Sequence, residues 1–292
     1  VSTAERRRWE VRLLTRQLKD DHNFFFVGDL HDGSVLSYTK GWDKMVSMVT
    51  SEYEGCSDNF VVDGGDMFEA IMVDDPRFSE DKLTEPLPLA QTEEAIRKRE
   101  PIKDKLITIL MGNHERKLWR FGNLTKYVCD KLGVEYGTYT AKITVMGTDG
   151  KLMYKVYDTH GMRTITSTAD DPKRRHVNME LILKRQLKFK AGDCAVMIKH
   201  HAHKLIVCKP EKDLYLVDDG KRIRQKYTSP VQKGDYIPPD LRWYGVAGSF
   251  LRLYGDGMSG YAEMLEYDPN EMGFLVLIVR QKQIVELRPV YL

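Results

Sequence analysis

Short apolar runs alternate with glycine-punctuated polar turns along the first half of the chain, and three of these runs share one grammar. Residues 24–27 form a continuous apolar stretch ended by Gly28-Asp29. Phe60-Val61-Val62 runs into Asp63-Gly64-Gly65-Asp66, and residues 106–110 run into Gly112-Asn113-His114. Runs this short, apolar throughout and closed by glycine, predict buried strands whose C-terminal ends deliver polar side chains into a crevice. Between them, residues 42–53 and 90–99 predict helices, so this half reads as alternating β/α.

Beyond residue 138 strands dominate: 142–145, 152–157, 195–198, 205–208, 214–217, and a final pair, 274–279 and 284–287, that predicts a hairpin. A helix over 177–189 interrupts them, with Met179, Leu181, Ile182, Leu183 and Leu187 as its buried face. At the start, Ser2 and Glu5 have the spacing of a capping box, which predicts a peripheral helix across residues 1–20 that packs Trp9, Leu13 and Leu14 on the body. Residues 71–88, with Pro76, Pro86, Pro88 and many acids, read as a long loop opening an insertion over 71–101. A second insertion is expected over 218–242, where Pro230, Pro238 and Pro239 fall.

The 292 residues are long enough for a sizeable core, and one domain over 1–292 is expected. The longest apolar run, 274–279, falls far short of the ~20 residues a membrane span requires, so no membrane partner is expected. A net charge of +2 gives no global field toward polyanions, so any such contact must be local. Arg6-Arg7-Arg8, Lys173-Arg174-Arg175 and the run Lys221, Arg222, Arg224, Lys226 are the candidates, each read first as a solvated face. Cys56, Cys129, Cys194 and Cys208 show no CxxC spacing and no signal peptide opens the chain, which predicts a cytoplasmic protein. Val1 in place of Met leads to the expectation that residues upstream are missing or processed.

Six of the eight histidines sit in clusters with acids, amides and glycines: Asp29-Leu30-His31, Gly112-Asn113-His114-Glu115, His160-Gly161 and His200-His201-Ala202-His203, joined by Gly65-Asp66. Singly, each of these fits a turn or a cap. Together they carry the donor types of a two-metal hydrolytic site: imidazoles, an amide and a carboxylate able to bridge. If residues 201–203 are extended, His201 and His203 point to one face.

The set resembles the calcineurin-like metallophosphoesterase superfamily. The five motifs stand here as Asp29-Leu30-His31, Gly65-Asp66-Met67-Phe68-Glu69, Gly112-Asn113-His114-Glu115, His160-Gly161 and His201-Ala202-His203, across roughly residues 23–253. The resemblance implies an α/β (α+β) fold, a four-layer β-sandwich flanked by helices with the site at its strand ends. It also implies that Asp29, His31 and His203 hold one ion, that Asn113, His160 and His201 hold the other, and that Asp66 bridges. His114 is implied to contact the phosphate and protonate the leaving oxygen.

With four imidazole ligands, Mn is favoured over Mg, and Fe or Zn also suits the set. His200 stands where the family has glycine, either as a phosphate contact or because the backbone tolerates a side chain there. Asp32 is a candidate for orienting a metal-bound imidazole. Glu115 is expected to orient its neighbours, and Arg116 either reaches a substrate phosphate or faces solvent. His22 and His176 fall outside the motifs and are assigned to surface or capping roles. Met67-Phe68-Glu69-Ala70 lacks the Asp-Arg-Gly of the protein phosphatase branch, which argues against that activity.

The expected reaction is hydrolysis of a phosphate ester through a metal-bridging hydroxide, with phosphodiesters in nucleotides or nucleic acid preferred. Phosphomonoester hydrolysis is the alternative, and a scaffold without turnover is the rival from another class. An open groove lined by Arg and Lys would favour diesters; a closed pocket would favour monoesters. The oligomeric state is left open.

Overall fold

The structure, a computed structural model, describes residues 10–292 except 76–77, 79–82, 86, 230–231, 233–234, 256 and 258–260. Ser2, Glu5, Trp9, the run Arg6-Arg7-Arg8, Pro76, Pro86 and Pro230 therefore lie outside the described residues. The first half contains β1 (Arg12–Leu18), β2 (His22–Val27), α1 (Thr39–Thr50), β3 (Asn59–Asp63), α2 (Pro88–Arg99), β4 (Leu106–Ile109), α3 (Asn113–Lys117), α4 (Leu124–Leu132) and β5 (Glu135–Tyr136). The second contains β6 (Thr140–Gly147), β7 (Leu152–Thr159), α5 (Pro172–Leu187), β8 (Val196–Lys199), β9 (Leu205–Cys208), β10 (Leu214–Asp218), β11 (Ile223–Tyr227), β12 (Trp243–Ala247), α6 (Tyr261–Met264), β13 (Gly273–Arg280) and β14 (Gln283–Tyr291).

Two six-stranded sheets, β14-β13-β2-β3-β4-β5 and β1-β6-β7-β8-β12-β9, make the sandwich. Strand alternation divides the side chains between layers. Phe24 and Phe26 of β2 point into the space between the sheets, where they meet Ile143, Val156, Ile198 and Leu277. Phe25 and Val27 point the other way, onto Trp42, Met45 and Val49 of α1, Ala95 of α2 and Val128 of α4. The outer face of the other sheet, Tyr157, Met197, Ile206 and Tyr244, is covered by Met179, Leu183 and Leu187 of α5. The order is helices, sheet, sheet, helix, which agrees with the four-layer expectation.

Several local expectations are corrected. Residues 12–18 form strand β1, parallel to β6 from Arg12↔Ala141 to Leu18↔Gly147, and not a helix. Leu14 and Leu18 face the core while Leu13 is exposed, a period-two pattern that a short stretch with charged neighbours hides. Residues 214–217 are a strand, as expected; it pairs with β11 as a separate two-stranded ribbon that reaches into the stretch read as the second insertion. In α5, Leu181 is exposed and does not belong to the buried face.

His22 is fully buried, not at the surface: Nδ1 donates to Lys19 O (2.7 Å) and Nε2 accepts from the Tyr154 hydroxyl (2.5 Å). His176 is at the surface, 3.4 Å from Glu180 one helical turn on. The final hairpin, β13 and β14, is present as expected, joined through Gln281 and Lys282. Among the described residues no helix is long and apolar enough to cross a membrane.

Candidate metal centre

Parallel pairing of β2 with β3 and of β3 with β4 puts three strand ends at one rim. β7 and β8, also parallel neighbours, bring His160 and residues 200–203 to the same place from the other sheet. Pairing continues past the sheet: the amides of Asp29 and His31 donate to Gly65 O (2.8 Å) and Asp66 O (3.1 Å). These bonds hold the loops while the backbone bends sharply. Asp29, His31, Asp66, His201 and His203 all have positive φ, from 49° to 70°. A non-glycine residue held there costs about 1–3 kcal/mol and persists where the surroundings impose it. His201 and His203 therefore sit in a bend, not in the extended segment expected, and turn their rings inward by that route.

Donor atoms of Asp29, His31 and His203 lie within 4.8 Å of one another, as do those of Asp66, His160 and His201, and those of His31, Glu69 and His114. Asp66 lies between the first two groups: its Oδ2 is 3.3 Å from His160 Nε2 and 4.0 Å from His31 Nε2. Asn113 joins the second group with Oδ1 3.0 Å from His160 Nε2. His203 Nε2 is 3.1 Å from Asp29 Oδ1. Asp29 is further fixed by its backbone carbonyl, which accepts from the Phe250 amide and the Ser249 hydroxyl (each 3.1 Å).

The outer nitrogens of the rings are occupied. His160 Nδ1 donates to Gly64 O (2.7 Å) and His31 Nδ1 donates to Glu69 Oε2 (2.8 Å), which leaves each Nε2 for the centre. His31 Nε2 and His201 Nδ1 are buried without a hydrogen-bond partner among the described residues. Buried ring nitrogens without a partner, close to carboxylates, suit a divalent cation that takes the place of the proton.

The electrostatics agree. Burial works to lower the His31 and His160 pKa values, yet Glu69 and Asp66 for His31, and Asp66 and Asp29 for His160, hold both at about 9. Burial works to raise Asp66, but His160, His114 and His31 hold its carboxyl well below the usual range. The protons that balance these carboxylates are the charge a bound cation would replace.

Sequence reasoning missed Glu69 as the acid on the His31 ring and proposed Asp32 instead. Asp32 is buried, but it bonds Lys98 Nζ and lies 3.6 Å from Arg99 Nη1 of α2. Arg99, fully buried, also bonds Asp63 Oδ2 (2.7 Å), so the end of α2 ties together the loops that carry Asp29 and Asp66. Glu115 Oε2 accepts from the amides of Gly112 (2.9 Å) and Asp66 (3.2 Å), and Oε1 accepts from that of Met67. Burial, with the charge of Asp66, pushes Glu115 up to about 8. Gly112 must be glycine, since a Cβ there would lie 2.0 Å from Asp66 Oδ1.

His114 Nδ1 bonds Glu69 O, and its ring stands 4.5 Å from that of His31; burial pushes it down to about 4. His200 is buried, with Nε2 2.9 Å from Asp158 Oδ1, and its ring fills the space over Gly64, where a Cβ would fall 2.1 Å away. Arg116 is exposed. Lys199, which no local signal in the sequence singles out, ends β8 beside the centre; burial pushes it down to about 8, against the pull of Asp29 and with a push from Arg163.

No curated protein matches the chain. Among solved structures it is similar to a protein of unknown function from Aquifex aeolicus, at 14% identity over 62% of this chain and 80% of that one, with a TM-score of 0.24. The calcineurin-like phosphoesterase family matches residues 22–227 of the 292, a span that holds every cluster described above, and the chain belongs to that family.

Proposed function

We propose that this metal-dependent phosphoesterase hydrolyses phosphodiesters with two divalent ions, one held by Asp29, His31 and His203, the other by Asn113, His160 and His201, with Asp66 shared. The observation that carries the two-ion part of the reading is the Asp66 carboxylate lying between His160 Nε2 (3.3 Å) and the unpartnered His31 Nε2 (4.0 Å). Ions bound there supply Lewis acidity toward the phosphoryl oxygens and activate water for in-line attack. The imidazole-rich donor set favours Mn, Fe or Zn over Mg.

His114 donates Nδ1–H to the Glu69 carbonyl, which leaves Nε2 to exchange a proton with the ester. Burial, helped by the charges of His31 and Lys117 and opposed by Asp66 and Glu69, keeps the ring neutral, with a pKa of about 4. The negative charge of an arriving phosphate favours the imidazolium, which then gives its Nε2 proton to the leaving oxygen. Glu115 holds the loops of Asp66 and Asn113 in register through the three amides it caps.

Turnover of bis-p-nitrophenyl phosphate against p-nitrophenyl phosphate by the purified chain with Mn²⁺ tests the reading. Faster diester cleavage is expected, and Asp66→Asn is expected to lose both bound metal and turnover. A strong monoester preference would replace the diesterase by a phosphomonoesterase. Undiminished metal content in Asp66→Asn would overturn the shared-carboxylate assignment, and no turnover of either ester would favour a scaffold.

A further inference from the structure

His200 stands where the family has glycine, and its side chain reaches three other strand ends that carry the centre. The residue is fully buried, so it does not meet substrate. Nε2 donates to Asp158 Oδ1 (2.9 Å), at the end of β7 and two residues before His160. A Cβ on Gly64, just past β3, would fall 2.1 to 2.3 Å from three atoms of the ring, and one on Gly28, just past β2, would fall 3.0 Å from Nδ1. The ring is therefore tethered on one side and wedged against two glycines on the other.

These contacts converge on one half of the centre. The Gly64 carbonyl, in the peptide packed against the ring, accepts from His160 Nδ1 (2.7 Å) and so sets which way that imidazole faces. The His200 amide donates to Thr159 O (3.0 Å), beside His160, and the next amide, that of His201, donates to Asp29 Oδ2 (3.2 Å). Asp158 is fully buried, its Oδ2 has no partner, and His200 is the one side chain that bonds it among the described residues. An apolar pair would fill the same space without desolvating two polar groups, so packing alone does not account for them.

We propose that Asp158 and His200 are positioning residues for the ion assigned to Asn113, His160 and His201. Asp158 fixes the His200 ring, the ring fixes the Gly64 peptide, and that peptide aims His160 Nε2 at the centre. A glycine at position 200 would leave the Gly64 peptide room to shift and His160 free to turn with it. The inference rests on the two-ion reading above.

Mn²⁺ titration of the full chain, followed by calorimetry and by electron paramagnetic resonance, tests the pair, because two spin-coupled ions and a single ion give different spectra. The parent chain is expected to bind in two steps and to show the coupled spectrum. His200→Gly is expected to weaken one step by about 10- to 100-fold, and so to show the single-ion spectrum at Mn²⁺ levels that give the coupled one in the parent. Asp158→Ala removes the tether without leaving a buried acid, and so decides the matter even where His200→Gly does not fold. It is expected to weaken the same step by about tenfold. Asp158→Asn still offers an oxygen to Nε2–H and is expected to restore the coupled spectrum. Binding in Asp158→Ala as tight as in the parent overturns the inference. So does equal weakening of both steps alongside a lower unfolding temperature, or an Asp158→Asn that behaves like Asp158→Ala. A parent chain that never shows the coupled spectrum overturns the two-ion reading, and the inference with it; variants that match a two-ion parent overturn the inference alone.

Discussion

Glu69 shows how one side chain sets the state of another. By accepting from His31 Nδ1 at 2.8 Å it leaves Nε2 as the nitrogen facing Asp66. Partners of this kind usually account for about 10- to 100-fold in metal affinity. Glu69→Gln is therefore expected to weaken metal binding by that factor, read by titration calorimetry, with the fold intact; unchanged affinity would remove Glu69 from its assigned role. His114 makes a contrasting case, because it bonds the Glu69 carbonyl and is not needed to complete either metal group. His114→Ala is expected to retain both ions by metal analysis while turnover falls ~10² to 10⁴-fold. Loss of the ions would show that the residue is a ligand. The donor types were legible in the sequence because glycine and candidate ligand stand side by side, as in Gly28-Asp29 and Gly112-Asn113. The choice of Glu69 over Asp32 was not, since it depends on how the β3 loop folds back on the β2 loop, which no local pattern records.

Among the elements, α2 was legible as a helix but not as a clamp. Its sequence reads as the tail of an acidic, proline-rich insertion, yet Thr92, Ala95 and Arg99 are fully buried, so the helix is part of the body. Arg99 bonds Asp63, approaches Asp32, and lies under Trp42 with its guanidinium carbon 4.7 Å from the ring. Removing one member of such a buried ionic group leaves the others uncompensated, at about 3–5 kcal/mol. Arg99→Met is expected to lower the free energy of unfolding in urea by that amount and to loosen metal binding at the same time. A loss below about 1 kcal/mol would mean that Asp32 and Asp63 find other partners. The strand β1 was hidden for the opposite reason. Only Leu14 and Leu18 of its residues are buried, and its pairing with β6 lies more than a hundred positions away. The three strand–glycine–ligand units were plain because burial on both faces writes a continuous apolar run.

At the scale of the whole molecule, the sandwich is tied between its sheets by a polar contact as well as by its apolar interior. His22 opens β2 and Tyr154 lies in β7 of the other sheet, and the 2.5 Å bond between them is buried. The Lys19 carbonyl can only accept, so Nδ1 carries the proton and Nε2 must stay bare to receive the tyrosine hydroxyl. The pair works only while His22 is neutral. Burial accordingly lowers its pKa from the ordinary 6.5. The unfolded chain then takes up a proton at higher pH than the folded one, so this stabilisation is complete above about 6.5 and falls as pH drops through the lowered folded value. His22→Gln keeps an uncharged hydrogen-bonding group without a titration in this range. The difference in unfolding free energy between the parent chain and His22→Gln isolates this site from the imidazoles of the metal centre, which titrate in both. That difference is expected to favour the parent most at pH 7 to 8 and to shrink steadily toward pH 5 in urea unfolding series. A difference that stays constant over the same interval would show that the folded sandwich accepts a charged His22, and that the sheets do not depend on its neutrality.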